Sequence, residues 1–337
     1  MKKMLLLCVV VLTAVSVVMA RGSRQADVTD DDYVVSIGYG TTGGLCAAPF
    51  YIAIEKGYYD EEGVKWEKYN VEPGTLMQLL TTGQVDAGYN LLATLIQPLA
   101  NGLDIKIPLA LHTGCVKVLV KPESDIRTVA DLKGKKIGTD GMATSSTVIP
   151  QRYLGELGIR ASGDDSEVEW VIYPSTELPL ALEQGWVDAI GLGDPRAQII
   201  ENAGQARVII NSATDDYLKN EFCCVTPLRT EFVEKHPAVA AAFIRAIQKG
   251  AKFVQDNPDE TARILQEKNY VAGDPEVNAQ ILRTYDYRAT VSGALTAIDR
   301  NARDLQRIGL VDKEVNVDNL VKSTYVALPG VPDSLYK

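Results

Sequence analysis

The chain has 337 residues, a formal net charge of −10, and hydrophobic side chains at 46% of its positions. A single hydrophobic core seldom serves more than about 250–300 residues, so this length favours two domains. No basic stripe interrupts the acidic sequence, which argues against nucleic acid as a partner. The net charge says nothing about the charge of a small ligand, because a local site can oppose it.

Residues 1–20 have the pattern of a secretory signal peptide. Lys2 and Lys3 form a positive start, residues 4–18 are apolar, and Ala20 ends a small-residue cleavage site. The apolar run is shorter than the roughly 20 residues that a membrane helix needs. No later segment is long and apolar enough to span a bilayer. We therefore expect a protein secreted to the periplasm or another extracytoplasmic space.

The first part of the mature chain alternates strand and helix patterns. Strands are predicted at 33–39, 64–70, 85–89 and 105–111, and helices at 47–56 and 73–82. The loop at 41–44 is rich in hydroxyls and glycine. A strand, such a loop and a helix start together present free backbone N–H groups at the carboxyl edge of a sheet, where α/β folds bind ligands. A plain tight turn explains the same residues equally well.

The second part follows the same order after an apolar strand at 116–120. Short elements at 129–132 and 136–138 precede a loop at 139–147 and a helix at 148–157. Ser145, Ser146 and Thr147 therefore stand at a helix start, where hydroxyls either cap the helix or hold a ligand oxygen. Three hydroxyls exceed what capping needs. A strand at 168–173, a helix at 177–184 and a strand at 187–191 complete the pattern.

One motif occurs twice, 102 residues apart. Residues 80–87 and 182–189 both read L-x-x-G-x-V-D-A. The pattern predicts that a helix ends, a glycine takes the left-handed conformation, and an apolar strand begins at once. The aspartate next to the strand can accept hydrogen bonds from backbone amides. The repeat indicates two similar α/β lobes, although a coincidence among common residue types gives the same match.

The rest of the chain is predicted to return to the first lobe and to end in helices. Strands at 208–210 and 222–225 precede helices at 238–254, 258–268, 275–287 and 295–309, and a last helix begins at 317. These helices carry no chemical motif, so we expect them to pack onto the first lobe. His236 is expected in an exposed loop.

Several segments together resemble a known family. They are GYG at 38–40, AAPFYIAIEKGYY at 47–59, the two G-x-V-D-A segments, ADLKGKKIG at 130–138, and Asp194-Pro195. This combination resembles the solute-binding proteins of ABC importers in the nitrate/sulfonate/taurine and thiamine-pyrimidine group, over most of residues 33–270. The resemblance implies an α/β, two-lobed type II periplasmic binding protein fold with a hinge and an interlobe cleft. It divides the chain into lobe 1 (33–115 and 225–337) and lobe 2 (116–224).

The resemblance also implies a function and a site. The protein would capture a small polar molecule in the cleft and deliver it to the membrane permease of an ABC importer, as a monomer without enzyme activity or a cofactor. An organic anion, a pyrimidine or other heterocycle, and a metal-linked solute all remain candidates. Gly191-Leu192-Gly193 stands where many relatives have an aromatic residue, which weakens a sulfonate or taurine assignment. The expected ligand-binding residues are Thr41, Thr42, Gly43, Cys46, Asn90, His112, Cys115, Thr144, Ser145, Ser146, Thr147, Asp194 and Cys223.

Four cysteines remain after residue 20, and the resemblance places all of them near the cleft. An even number in an exported protein suggests disulfides, for example between Cys46 and Cys115. Buried thiols that simply pack are a second interpretation, and a soft metal or metalloid site with His112 is a third. Cys223-Cys224 is also similar to the iron-associated cysteine run of the eukaryotic thiamine-pyrimidine synthase. The alternative function is therefore a metal- or thiol-dependent binder or enzyme that uses this Cys/His cluster.

Overall fold

The computed structural model describes residues 30–40, 44–72 and 74–336. The predicted signal peptide and the predicted site residues Thr41, Thr42 and Gly43 lie outside the described residues. Ten strands lie within the described part: β1 Val34–Gly40, β2 Lys65–Val71, β3 Asn90–Leu91, β4 Ile105–Thr113, β5 Val116–Val120, β6 Lys136–Thr139, β7 Glu169–Ile172, β8 Ala189–Gly193, β9 Arg207–Asn211 and β10 Phe222–Arg229.

Helices connect the strands and make up most of the C-terminal third. The described residues form α1 Ala48–Glu55, α2 Tyr58–Glu61, α3 Leu76–Thr81, α4 Leu92–Ala100, α5 Ser145–Glu156, α6 Leu178–Glu183, α7 Arg196–Asn202, α8 Thr230–Lys235, α9 Pro237–Asp256, α10 Pro258–Glu267, α11 Pro275–Thr284, α12 Val291–Arg307 and α13 Val317–Thr324. Among the described helices, none has the length and apolar character required to cross a bilayer.

The strands form two sheets of the same design, which define two lobes. In the second lobe the order is β7-β6-β8-β5-β9, with β5 antiparallel to β8 and β9. In the first lobe the corresponding order is β2, β1, the segment at Ala87, β10 and β4. Strand β2 is parallel to β1, Ala87 bridges β1 to β10, and β10 is antiparallel to β4. Each lobe thus has parallel strands at its centre and an antiparallel fourth strand. The predicted two-lobed α/β architecture is confirmed.

The chain passes between the lobes twice. Strand β4 ends the first sheet, and after Gly114 and Cys115 the chain continues as β5 of the second. Strand β9 lies at the edge of the second sheet, and residues 212–221 lead back to β10 in the first. Both antiparallel strands therefore follow directly from a crossover, and the two crossovers lie where a hinge between lobes is expected.

The two copies of the repeated motif occupy equivalent places. Gly83 and Gly185 end α3 and α6 with φ of 75° and 73°, as the motif predicts. Ala87 bridges parallel to Ile37 of β1, and Ala189 pairs parallel with Ile137 of β6. The first copy makes only a bridge where a strand was predicted at 85–89, and the next ladder begins at Asn90.

The C-terminal helices differ from the prediction in two respects. Helix α11 ends at Thr284, so residues 285–287 are extended although a helix was predicted there. Helix α12 does not contact the first lobe alone, because Asp304 on this helix pairs with Arg152 on α5 of the second lobe. His236 is also not free in a loop: its ring lies 3.9 Å from that of Tyr33, and Nδ1 lies 2.8 Å from a carboxylate oxygen of Asp30.

Candidate functional site

A cavity of about 630 Å³ lies between the two lobes. We call it the interlobe cavity. The carboxyl end of β1 and the β3–α4 segment form its first-lobe wall, and the loop before α5 forms its second-lobe wall. Its lining residues with polar side chains are Glu72, Tyr89, Asn90, Thr94, Asp140, Thr144 and Ser145, and the others are glycines and apolar residues. The cavity lies at the carboxyl edge of the parallel strands, where the sequence predicted ligand contacts.

The predicted hydroxyl residues of the second lobe divide into two groups. Thr144 and Ser145 are half-buried and line the cavity. Ser146 and Thr147 are buried behind them. Thr144 Oγ1 lies 2.8 Å from the Asp140 carboxylate and 2.7 Å from Ser146 Oγ, and Thr147 Oγ1 donates to the carbonyl of Gly141 at 2.8 Å. The buried pair therefore holds the loop against the helix start, while the outer pair can reach a ligand.

Asn90 provides the matching polar group on the first lobe. It is half-buried, it lines the interlobe cavity, and its Oδ1 accepts a hydrogen bond from the backbone N–H of Leu91 at 2.7 Å. This contact orients the amide at the start of α4. Asn90 and the Thr144–Ser145 pair consequently face one space from opposite lobes.

Four cysteines that are distant in sequence meet in space, and we call them the thiol cluster: Cys46, Cys115, Cys223 and Cys224. The sulfur atoms of Cys46, Cys115 and Cys224 all lie within 4.8 Å of one another, and those of Cys115 and Cys223 are 2.6 Å apart. All four are free thiols in this structure, so the suggested Cys46–Cys115 disulfide is not present. Cys115 and Cys224 are buried, whereas Cys46 and Cys223 are half-buried.

A β-bulge brings the two adjacent cysteines to the same place. Phe222 of β10 pairs with Thr113 of β4, and Cys224 pairs with the very next residue, His112. Cys223 is thus an extra residue in the ladder. Successive side chains of a regular strand face opposite sides of the sheet, and a bulge changes that direction. This is why Cys223 and Cys224 both reach Cys115.

The backbone of the first crossover is unusual at the cysteine itself. Cys115 has φ of 113°, a conformation that residues with a Cβ rarely adopt, and Gly114 before it has φ of 83°. Holding a non-glycine residue there costs on the order of 1–3 kcal/mol. The crossover therefore keeps the Cys115 thiol in the cluster at the expense of backbone strain.

Close packing of the thiols separates their acidities. Hydrogen bonds from Cys115 and Cys224 lower the pKa of Cys46 well below its ordinary value, and they lower the pKa of Cys223 to about 5. Burial raises the pKa of Cys115 and of Cys224. The pKa values of Cys46 and Cys223 are therefore shifted downward, and those of Cys115 and Cys224 upward, within one cluster.

His112 lies beside the cluster and packs against two tyrosines. Burial lowers the pKa of its imidazole, but the nearby charges of Cys46 and Cys223 outweigh burial, and the net shift is upward. Nδ1 lies 2.9 Å from the carbonyl oxygen of Thr113, and Nε2 has no hydrogen-bond partner among the described residues. The rings of Tyr285 and Tyr287 lie 5.2 and 4.9 Å from the imidazole.

Asp194 does not line the interlobe cavity; its carboxylate contacts Tyr285 instead. Its carboxylate accepts a 2.9 Å hydrogen bond from the hydroxyl of Tyr285 and a 3.2 Å bond from the backbone of Gln198. Burial raises the pKa of Asp194, and the charge of Lys117, 3.9 Å away, opposes that shift. Asp194 thereby positions the ring that stacks on His112.

Tyr89 lies next to both the interlobe cavity and the thiol cluster. It lines the cavity, and burial together with the negative charges of neighbours that include Cys46 raises the pKa of its hydroxyl. A side chain on Gly40 would meet this hydroxyl. The cavity and the cluster are therefore two adjoining parts of one candidate site.

The structure brings most of the predicted site residues into two groups. Asn90, Thr144 and Ser145 line the cavity, and Cys46, Cys115, Cys223 and His112 form or contact the cluster. The expected ligand-binding residues did not include Tyr89, Asp140, Cys224, Tyr285 and Tyr287, although Cys224 was expected near the cleft with the other cysteines. The T-Y-D-Y pattern at 284–287 could have indicated an extended segment with both tyrosines on one side, but the helical prediction concealed it.

Comparison with known proteins identifies the relatives of this chain. The family model described as "NMT1/THI5 like" matches residues 46–261, which is more than half of the sequence. The chain is 26% identical, over 94% of its length and 95% of the relative, to a protein of Bacillus subtilis (strain 168) named "Putative aliphatic sulfonates-binding protein".

A second relative has an enzyme name. The chain is 21% identical, over 85% of its length and 89% of the relative, to "4-amino-5-hydroxymethyl-2-methylpyrimidine phosphate synthase" of Legionella pneumophila. Among solved structures, the chain resembles the periplasmic aliphatic sulphonate binding protein of Escherichia coli, with a TM-score of 0.70 at 18% identity over 88% of this chain and 92% of that one. This likeness confirms the predicted periplasmic binding protein fold.

Proposed function

The chain belongs to the NMT1/THI5-like family, and from this premise we propose that it is an extracytoplasmic solute-binding protein of an ABC importer. It captures a small solute in the interlobe cavity and delivers it to a membrane permease. The observation that carries the proposal is the cavity itself, to which both lobes contribute walls. Its volume of about 630 Å³ falls within the range of about 300–1,000 Å³ that is typical of small-molecule sites.

Capture requires that the lobes move relative to each other. The sequence predicted 33–115 and 225–337 in one lobe and 116–224 in the other; because β10 of the first sheet begins at Phe222, we place the second boundary within residues 212–221. Both crossovers lie beside the thiol cluster. Rotation at Gly114–Cys115 and within 212–221 would open and close the cavity without disturbing either sheet.

The charges of the cavity argue against a sulfonate as the solute. Glu72 and Asp140 line it, and none of its described lining residues is Lys or Arg. Anionic groups such as sulfonates are usually held by Arg or Lys side chains. Hydroxyl and amide groups of Asn90, Thr144 and Ser145 instead favour a polar solute that carries no strong negative charge.

The enzyme alternative rests on one observation, the thiol cluster, together with the synthase name of one relative. We infer binding without turnover because the acid–base groups of the cavity are either engaged or solvated. Asp140 is hydrogen-bonded to Thr144, and Glu72 is exposed. A general base needs a free position within hydrogen-bonding distance of the reacting proton.

The experiment is native mass spectrometry of the full chain, isolated without refolding from the exported fraction of the cells that make it. We expect a chain that begins at residue 21 and carries one bound solute, released intact on gentle activation. Ala143 is exposed and lines the cavity, so Ala143→Trp should fill the cavity and remove the bound mass.

Leu157→Trp is the matched control, because Leu157 is an exposed residue at the far end of α5 and does not line the cavity. It should keep the bound mass. An empty wild-type chain, or an identical bound mass in Ala143→Trp, would contradict the proposal. Conversion of the released molecule during incubation would favour the enzyme.

A further inference from the structure

The arrangement of the thiol cluster is that of a metal site. Two sulfurs bound tetrahedrally to one ion at about 2.3 Å stand roughly 3.8 Å apart. The sulfur atoms of Cys46, Cys115 and Cys224 all lie within 4.8 Å of one another, so small side-chain rotations bring them to one ion. We propose that the cluster, beside the captured solute, binds a soft metal ion through these three sulfurs.

An independent observation points to a ligand at the same place. His112 is fully buried, and its Nε2 has no hydrogen-bond partner among the described residues. A buried polar group that lacks a partner costs about 1–3 kcal/mol. In its unprotonated form this nitrogen is a further candidate ligand for an ion at the cluster.

The donors come from segments that move in a hinge closure. Cys46 lies at the start of α1 in the first lobe, Cys115 on the first crossover, and Cys224 at the beginning of β10, directly after the second crossover. An ion bound by all three fixes both crossovers against the first lobe. The ion would thereby set the position of both hinge segments, which couples its binding to the angle between the lobes.

The surroundings of the thiol cluster favour the binding of a cation. Cys46 and Cys223 are the less buried members of the cluster. Glu72 and Asp140 give the adjoining cavity a negative potential that attracts cations. Sulfur ligands select soft or borderline ions over Mg²⁺ and Ca²⁺, which prefer oxygen.

The test is a titration of the reduced full-length exported protein with Cd²⁺, without oxygen. We expect one Cd²⁺ per chain, seen as sulfur-to-metal charge-transfer absorption, with no response to Mg²⁺. Cys46→Ser and Cys224→Ser should each weaken the affinity by at least about 100-fold, because each removes a direct ligand. Small-angle scattering should show a smaller radius of gyration when Cd²⁺ is bound.

Thr226→Val is the matched control. Thr226 is buried two residues beyond Cys224 on the same strand, and its hydroxyl has no hydrogen-bond partner among the described residues. This variant keeps the packing of β10 and should bind Cd²⁺ as the wild type does. Thermal unfolding of each variant shows whether it is folded, and Cys46→Ser, at a half-buried position, is the least disruptive of the donor changes.

The outcomes separate the two proposals. If native mass spectrometry shows an organic solute that Ala143→Trp removes, while the reduced chain does not bind Cd²⁺, the solute-binding function stands and the metal inference is wrong. A disulfide between Cys115 and Cys223 in the exported protein would remove one donor and overturn the inference. Binding of Cd²⁺ that leaves the radius of gyration unchanged would overturn the coupling between ion binding and the angle of the lobes.

Discussion

Many relatives have an aromatic residue where this chain has Gly191-Leu192-Gly193, and the contacts of Gly191 explain why a glycine is needed there. It lies on β8, and a Cβ at this position would overlap the carbonyl oxygen of Ser146 at the start of α5. The absence of a side chain lets the helix start approach the sheet. That approach places Thr144 and Ser145 on the interlobe cavity, so glycine here shapes the site without touching a ligand.

Gly191→Ala should destabilise the protein by about 2–3 kcal/mol, because the backbone carbonyl of Ser146 cannot move away easily. Gly193→Ala is the control on the same strand, since its Cβ would meet only the carbonyl of Cys115 at an ordinary 3.6 Å. It should change stability by less than about 1 kcal/mol. Urea unfolding of both variants measures the difference, and equal losses would refute the close-approach argument.

At the scale of elements, the repeated motif gives the same hydrogen bond in both lobes. The carboxylate of Asp86 accepts from the backbone N–H of Ser36 at 3.0 Å, and that of Asp188 accepts from the N–H of Lys136 at 2.8 Å. In each lobe the motif thus fixes the register of the central strands. The surroundings differ, because Asp86 is buried and also pairs with Arg229 at 2.6 Å, whereas Asp188 is exposed.

The two equivalent substitutions should therefore have unequal effects. Asp86→Ala should cost about 3 kcal/mol, because it leaves the largely buried guanidinium of Arg229 without its nearest carboxylate. Asp188→Ala should cost about 1 kcal/mol, the value of one exposed hydrogen bond. The free energy of unfolding of each variant tests this, and similar costs would mean that the motif contributes only through its strand contacts.

At the scale of the whole molecule, a buried ionic cluster joins α5 of the second lobe to the C-terminal helix α12. Arg152 of α5 is fully buried and donates to Glu221, Asn301 and Asp304. Glu221 precedes β10, and the other two partners lie on α12. The cluster ties the second lobe to the C-terminal helices, so those helices do more than cover the first lobe.

Asp304 gives this connection a dependence on pH. Burial raises the pKa of its carboxyl group, but the charge and hydrogen bonds of Arg152 outweigh burial and lower it below 3.8. The ionised form is thus favoured by folding. Its stabilisation is complete above pH 3.8 and is lost as the pH falls through the lowered native value.

Asp304→Asn should reduce stability by about 2 kcal/mol at pH 7, because it removes the negative charge opposite Arg152 and keeps the side-chain shape. The gap between wild type and variant should close as the pH falls below 3.8. Asp299→Asn is the control on the same helix, where an exposed pair with Arg303 is worth at most about 0.5 kcal/mol. Urea midpoints from pH 2 to pH 7 measure both, and a gap that persists at pH 2 would exclude the ionic explanation.

The sequence by itself determined the features that depend on local chemistry. Glycines 83 and 185 were predicted to be left-handed because a helix must end there before a strand, and the structure confirms φ of 75° and 73°. The loop before α5 was predicted from its hydroxyls at a helix start. Family segments distributed along the chain predicted the two-lobed fold, since such segments reflect elements that each form from neighbouring residues.

Only the tertiary structure decided how distant residues meet. A bulge directs Cys223 and Cys224 to one place, against the alternation of a regular strand, and the pairing of β4 with β10 sets His112 beside Cys224. The end of α11 at Thr284 turns the two following tyrosines onto that imidazole. These relations depend on register and on packing between segments more than 100 residues apart. No local pattern encodes them, and they decide whether four cysteines are separate thiols or one cluster.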